Sequence, residues 1–143
     1  MLQIWTDGSC LGNPGAGGWA FVATDGHDVA ERSGGESDTT NNRMELTAVL
    51  NAIRAAARHA EIEIHTDSQY VKNGMQKWMR AWKCNGWKTA DKKPVKNRDL
   101  WLELDAAAAK MKINWVWVRG HDGDQFNERA DELARTAAES IKN

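Results

Sequence analysis

Leu2-Gln3-Ile4-Trp5-Thr6-Asp7-Gly8-Ser9 is the stretch from which the fold can be read outward. Apolar and polar residues alternate, with Leu2, Ile4 and Thr6 on one side, and the run ends in an aspartate, a glycine and a serine. Alternation of period two marks a β-strand, and a glycine ends its regular pairing. Asp7 is therefore expected at a strand's carboxyl end, pointing toward open space. Ile62-Glu63-Ile64-His65-Thr66-Asp67-Ser68 has the same design. Two strands that present a carboxylate at the same end make a plausible start for a metal site, because rigid elements hold ligands better than loops do.

The 143 residues suffice for one domain, 1–143, with a real core. At 41% hydrophobic and 27% charged, the composition is that of a soluble globular chain. No apolar run approaches the ~20 residues of a membrane helix, and the amino terminus has no basic-then-apolar signal segment. A cytoplasmic location is the expectation, with no membrane association. Cys10 and Cys84 make no disulfide framework and lack the paired spacing of a zinc site, so both read as reduced thiols. The charge is unevenly spread. Residues 72–98 hold nine basic side chains against Asp91 alone, a local +8 in a chain of formal net charge −1. Such a split suggests a polyanionic partner at one patch and acidic chemistry elsewhere.

The glycine-rich run at residues 10–18 lacks the Gly-Lys-Ser/Thr of a P-loop and leads into Trp19-Ala20-Phe21-Val22-Ala23, a strand-like stretch. Its glycines read as turn formers centred on Pro14-Gly15. Asp25-Gly26 makes a hairpin turn into a third strand near residues 28–33, which completes an antiparallel meander. Residues 34–38 read as a polar connection. From 42 to 59 the period becomes helical, with Met44, Leu46, Val49, Leu50 and Ile53 among the residues of one apolar face. A strand at 61–66 then implies a parallel crossover. The basic segment follows as two short helices and a loop, interrupted at Asn85-Gly86 and Pro94. A helix at 97–110, a strand at 113–119, a loop at 120–124 and a helix at 125–141 complete the chain. That last helix is expected to bury Leu133, Ala134, Ala137 and Ile141. The fold class is α/β: a mixed five-stranded sheet, strands 1–3 an antiparallel meander and strands 4 and 5 parallel to strand 1, with helices on both faces.

Four acids stand out: Asp7 and Asp67 at strand ends, Glu45 in a helix's first turn and Asp131 early in the last helix. Taken singly, each has a structural explanation. Asp7 and Asp67 suit turn or helix caps, Glu45 suits a capping box with Asn42, and Asp131 suits the amino-terminal helix dipole. Gathered at one end of a sheet, they would raise each other's proton affinity unless a cation neutralised them. Hard carboxylate oxygens favour Mg²⁺ or Mn²⁺.

Six runs carry a resemblance. Thr-Asp-Gly-Ser at 6–9, Thr-Thr-Asn-Asn-Arg-Met-Glu-Leu at 39–46, Thr-Asp-Ser-Gln-Tyr at 66–70, Gly-Trp-Lys-Thr-Ala-Asp-Lys-Lys-Pro-Val-Lys-Asn at 86–97, Gly-His at 120–121 and Asn-Glu-Arg-Ala-Asp-Glu-Leu-Ala at 127–134 resemble bacterial type 1 ribonuclease H over nearly the whole chain. The resemblance implies endonucleolytic cleavage of the RNA strand of an RNA–DNA hybrid, leaving 3′-hydroxyl and 5′-phosphate ends. Asp7, Glu45, Asp67 and Asp131 match that family's metal ligands, which would hold two Mg²⁺ ions (Mn²⁺ as a substitute) about 3.5–4 Å apart. Asp7 would bridge both ions. His121 matches a loop histidine that assists proton transfer or product release, although a histidine beside glycine in a loop is also simply solvated.

By the same resemblance Cys10 (through its backbone), Asn13, Asn41, Asn42 and Gln69 would contact the minor groove, where 2′-hydroxyls separate RNA from DNA. Thr40 and Asn97 match a pocket for a DNA-strand phosphate. Asn13 and Asn41 also suit a turn and a cap. Lys83, Lys88, Lys92 and Lys93 would meet phosphates, and Trp78, Trp82 and Trp87 sugars or bases, with a core role open for the tryptophans. Asp38 stands where several bacterial relatives carry arginine, which should weaken the phosphate pocket. Asp122 and Asp124 add negative charge after His121, predicting tighter cation binding or a higher pH requirement. A monomer with no obligate protein partner is expected, and low processivity, since no separate hybrid-binding domain is present. Three rivals fit less well. Integrases and junction resolvases lack the basic handle and the Asn-Asn-Arg-Met-Glu run, a binding-only module predicts loss of an acid, and residues 122–124 fail EF-hand spacing.

Overall fold

The structure, a computed structural model, describes residues 1–119 and 124–142. Three antiparallel strands open the chain: β1 (Leu2–Cys10), β2 (Gly15–Thr24) and β3 (Val29–Thr39). Helix α1 (Asn41–Ala55) crosses over to β4 (Glu61–Thr66), which lies parallel to β1 on its other side. After the basic segment, α4 (Arg98–Ala108) returns the chain to β5 (Lys112–Trp117), parallel to β4, and α5 (Gln125–Lys142) closes it. The sheet order β3-β2-β1-β4-β5 puts β1 in the middle, so the stretch that opened the reading is the central strand. The expected architecture is the observed one.

The sheet separates two apolar layers. Ile4, Phe21, Ile62 and Ile64 face α1, whose Leu46, Val49, Leu50 and Ile53 are wholly or almost wholly buried. Each such side chain contributes roughly 1.5–3 kcal/mol on removal from water. The same layer reaches Trp101 and Leu104 of α4. On the opposite face Trp5 and Val22 pack against Ala130, with Phe126 and Leu133 at its edge. Alternation along β1 places Ile4 in one layer and Trp5 in the other.

Several expected boundaries shift, each for a tertiary reason. Residues 34–38 are not a connection: β3 continues to Thr39, and Gly34 and Gly35 pair with Trp19 and Gly18. Backbone pairing with β2 holds these polar and glycine residues in strand form where their side chains carry no strand signal. Nor are Gly15, Gly17 and Gly18 turn formers, since they lie within β2. Gly18 faces the α5 backbone at Ala134 and Ala138, where any Cβ would collide, so its absence lets the helix lie close to the sheet.

Helix α1 ends at Ala55 rather than near residue 59, and β5 ends at Trp117. In α5 the buried set is Asn127, Ala130, Ala134 and Ala138, a stripe of mostly small residues three or four apart. Leu133 and Ala137 are half-buried and Ile141 is 40% exposed, because close approach through the small stripe turns the larger residues toward the helix flanks. The basic segment begins as one unbroken helical run rather than two helices. It comprises α2 (Gln69–Asn73), a π-helical turn (Gly74–Trp78) and α3 (Met79–Cys84). No helix among the described residues is long and apolar enough to cross a membrane.

Candidate active site

Asp7 and Asp67 come from neighbouring parallel strands, in which Trp5 is the register partner of His65. Both carboxylates therefore emerge at the same end of the sheet. Gly8 brings in the third. Contrary to the sequence expectation, Gly8 does not end the pairing: β1 runs to Cys10 with Gly8 opposite Trp19 of β2, and Asp7 lies beyond Trp5, the last partner of β4. A Cβ at Gly8 would collide with the α1 backbone at Met44 and Glu45, so glycine lets the helix start against β1. Glu45 lies one turn beyond the position expected. The N-cap is Thr40, whose hydroxyl accepts from the Arg43 N–H at 3.3 Å, and no capping box with Asn42 forms. Glu45 accepts instead from Asn41 Nδ2 at 2.7 Å and from the Ser68 hydroxyl. Asp131, on the second turn of α5, completes the group and accepts from Arg135 Nε at 3.1 Å.

These acids sense one another. Burial, the charge of Asp67 and a hydrogen bond with Asp131 push the Asp7 carboxyl up from 3.8 to about 8. Burial also raises Glu45, and Asp67 adds to the rise, while the Ser68 hydroxyl opposes it. Among the described residues, no three His, Cys, Asp or Glu side chains are gathered as a coordination group. Hydrogen bonds to Ser68, Asn41 and Arg135 hold Glu45 and Asp131 where they are. The donor set nonetheless fits a hard divalent cation: four carboxylates, of which Asp7 is raised first by burial and then by the charge of Asp67. His121 and Asp122 lie outside the described residues. Asp124 is described, and its carboxylate is turned onto the Trp5 indole N–H and the first amides of α5.

Beside the acids, Asn13, Thr40, Asn42, Lys96 and Asn97 line a cleft of about 420 Å³. Asn13 Oδ1 accepts from the Asn41 N–H at 3.2 Å, so its structural and candidate binding roles coincide. Asn97 takes the left-handed conformation at φ 59°. Its Oδ1 accepts from Arg43 and its Nδ2 donates to the Tyr70 hydroxyl, both at 3.1 Å. Arg43 is in turn held by both Asp99 oxygens. Cys10 is half-buried, with Sγ directed at the Gly15 and Thr39 carbonyls, while Asn42 and Gln69 are exposed. Asp38 is exposed on β3 and does not line the cleft.

The handle separates its tryptophans. Trp78 is 37% exposed, whereas Trp82 and Trp87 pack against the core layer. Trp82 stands 5.8 Å from Trp78, 6.1 Å from Trp87 and 5.3 Å from Trp101, centroid to centroid. Lys88, Lys92 and Lys93 are exposed, but Lys83 is paired with Asp105 at 2.7 Å. Four supporting residues carry no local signal of their role. Ser68, Tyr70 and Arg43 lie inside the quoted motifs, and Lys96 inside the basic run, yet nothing local assigned them contacts.

The RNase H family profile matches residues 1–139. The chain is 54% identical to the ribonuclease H of Hyphomonas neptunium over 143 residues, covering 99% of this chain and 95% of that one. It is 56% identical to the ribonuclease HI of Neisseria meningitidis serogroup B over 137 residues, with 96% and 94% covered. Among solved structures, LC9-RNase H1, a type 1 RNase H with the type 2 active-site motif, superposes with a TM-score of 0.84 at 36% identity, over 98% of this chain and 72% of that one. The fold is also that of LC11-RNase H1 in complex with RNA/DNA hybrid (TM-score 0.77, 24% identity, both chains fully covered).

Proposed function

The chain belongs to the ribonuclease H family of endoribonucleases, and from that premise we propose that it cleaves the RNA strand of RNA–DNA hybrids at the Asp7–Glu45–Asp67–Asp131 cluster with the help of two divalent cations. The observation that carries this reading is the Asp7 carboxyl, pushed up to about 8 first by burial and then by Asp67 and Asp131 beside it. Asp7, Glu45, Asp67 and Asp131 would hold Mg²⁺, with Mn²⁺ as a substitute. When bound, such ions supply neutralisation of charge on the scissile phosphate and activation of the attacking water.

The chain's own residues do the rest. Asn41 and Ser68 orient Glu45 by donating to its two oxygens. Asn42, Gln69, Asn13 and the backbone of Cys10 meet the minor groove, where an amide can both donate to and accept from a 2′-hydroxyl. Thr40, Asn97 and Lys96 line the cleft that takes a DNA-strand phosphate, and Lys96 is its cation, since Asp38 supplies none. Lys88, Lys92 and Lys93 add sequence-independent attraction along the backbone, and exposed Trp78 offers a face for stacking on sugar or base. Lys83 contributes less, because Asp105 already neutralises it. His121 is assigned proton transfer or product release. The protein works as a monomer, in one domain spanning the chain.

Labelled RNA–DNA hybrid, duplex DNA and duplex RNA incubated with Mg²⁺ test the reading. Hybrid alone is expected to be cut, with 3′-hydroxyl and 5′-phosphate products, and EDTA should stop the reaction. Cleavage of duplex DNA, or cleavage that survives EDTA, would overturn the assignment.

A further inference from the structure

Trp5 stands two residues before Asp7 on β1, and β4 and the start of α5 converge on it. Its ring stacks on His65 of β4, centroids 4.3 Å and planes 15° apart. On another side it meets Phe126 of α5 at 4.6 Å. Its indole N–H donates to Asp124 Oδ2 at 3.0 Å. His65 precedes Asp67 by the same two positions, and residues two apart on a strand share a face. Trp5 and His65 are therefore the layer adjoining Asp7 and Asp67. His65 is itself held from the far side, where its Nε2 lies 2.7 Å from Glu63 Oε1, which also accepts from Gln3 Nε2 at 2.9 Å.

Asp124 works in two directions. While Oδ2 takes the indole, Oδ1 accepts from the N–H groups of Phe126 (2.9 Å) and Asn127 (3.3 Å), which caps α5. Asp131 lies seven residues on, about two turns, and so on the same side of the helix. Helix and strand are thus joined at two levels, by Asp124 on Trp5 and by Asp131 on Asp7. The second level consists of the acids that would take the cation. The first is made by an indole and a capping carboxylate that stand outside that group, so it can hold the helix in place whatever the acids bind.

We propose that Trp5 and Asp124 are positioning residues for cation binding, their indole–carboxylate bond holding α5 against β1 so that Asp131 stays facing Asp7 and Asp67. The proposal rests on the cation-binding reading of the acidic cluster. Asp124 is then no contributor of charge to the cations, contrary to the sequence expectation. It acts through the frame.

Trp5→Phe keeps the ring stack and loses only the N–H. Asp124→Ser keeps a capping hydroxyl and loses the reach to Trp5. Both variants and their double are titrated with Mn²⁺ by calorimetry without nucleic acid, and their melting temperatures and hybrid KM are measured alongside. Each single variant is expected to weaken Mn²⁺ binding roughly tenfold, the usual scale for groups that orient metal ligands. The double should be no weaker than the worse single, and KM for hybrid should be unchanged. Mn²⁺ affinity within twofold of wild type in both singles, with only the melting temperature lowered, would make the bond a plain fold contact and overturn the proposal. Multiplying losses in the double would overturn it as well. Hybrid cleavage by the wild type, assayed in parallel, judges the ribonuclease reading separately.

Discussion

On the proposed reading, the acidic end of the sheet and the basic handle meet the same kind of polyanion in opposite ways. The acids are few, partly buried and set within or just after strands and on helix turns that pack against a core. The lysines are many, exposed, and carried on a short helix and a loop. Concentrated charge in a rigid place is costly, as the raised Asp7 carboxyl records, and is worth that cost only where chemistry needs fixed positions. Spread charge at the surface costs little and gives affinity without sequence preference. Losses at the acidic end should therefore appear in kcat and in cation binding, and losses at the handle in KM and in salt dependence.

The largest expected effect is that of Asp7→Asn, which should lower cleavage by at least about a thousandfold, the scale on which a central electrostatic group acts. Asp131→Asn should cost less, since Asp131 sits at the edge of the cluster with Arg135 as a second partner. Single-turnover rates at saturating hybrid measure both. An Asp131 variant more damaged than the Asp7 variant would break the ranking.

Next comes stability against pH, followed by thermal melting in EDTA. Asp7 rises from 3.8 to about 8 on folding, so the unfolded chain releases this proton first. Its contribution to stability is complete below pH 4 and is lost progressively as the pH climbs to about 8. Cation-free protein should accordingly melt lower at pH 8 than at pH 5.5 as far as this group decides, and Mn²⁺ should restore more at the higher pH. Asp7→Asn should melt a few degrees above wild type at pH 8 in EDTA while being inactive. A variant that melts no higher there would show that crowding at Asp7 carries no strain.

At the handle, replacing Lys88, Lys92 and Lys93 by Ala together should flatten the slope of log affinity against log salt by up to about 0.9 for each phosphate that is no longer neutralised. The rate at saturating hybrid should stay the same. Lys96→Ala should raise KM a few fold, as the one cation lining the phosphate cleft among the described residues. Lys83→Ala should change KM by less than about twofold, because Asp105 already occupies it. An effect at Lys83 equal to that at Lys88 would mean the pair opens when hybrid binds.

Sequence alone determined the strand that carries Asp7 and the strand that leads into Asp67, the amphipathic face of α1, the mixed sheet and the separation of acidic from basic segments, although β1 runs on past Asp7 to Cys10. These are local properties: period, turn chemistry and charge are written residue by residue. Tertiary structure decided the rest. Gly34 and Gly35 became strand through pairing with β2, and Gly8 and Gly18 proved to be points where a helix touches the sheet. Small residues rather than large ones took the buried stripe of α5, and Trp82 turned to the core while Trp78 stayed outside. Asp124 read as loose negative charge in the sequence, and folding gave it an indole and two amides. A side chain's partner comes from another part of the chain, often a hundred residues away, and no local pattern encodes which polar group will be waiting there.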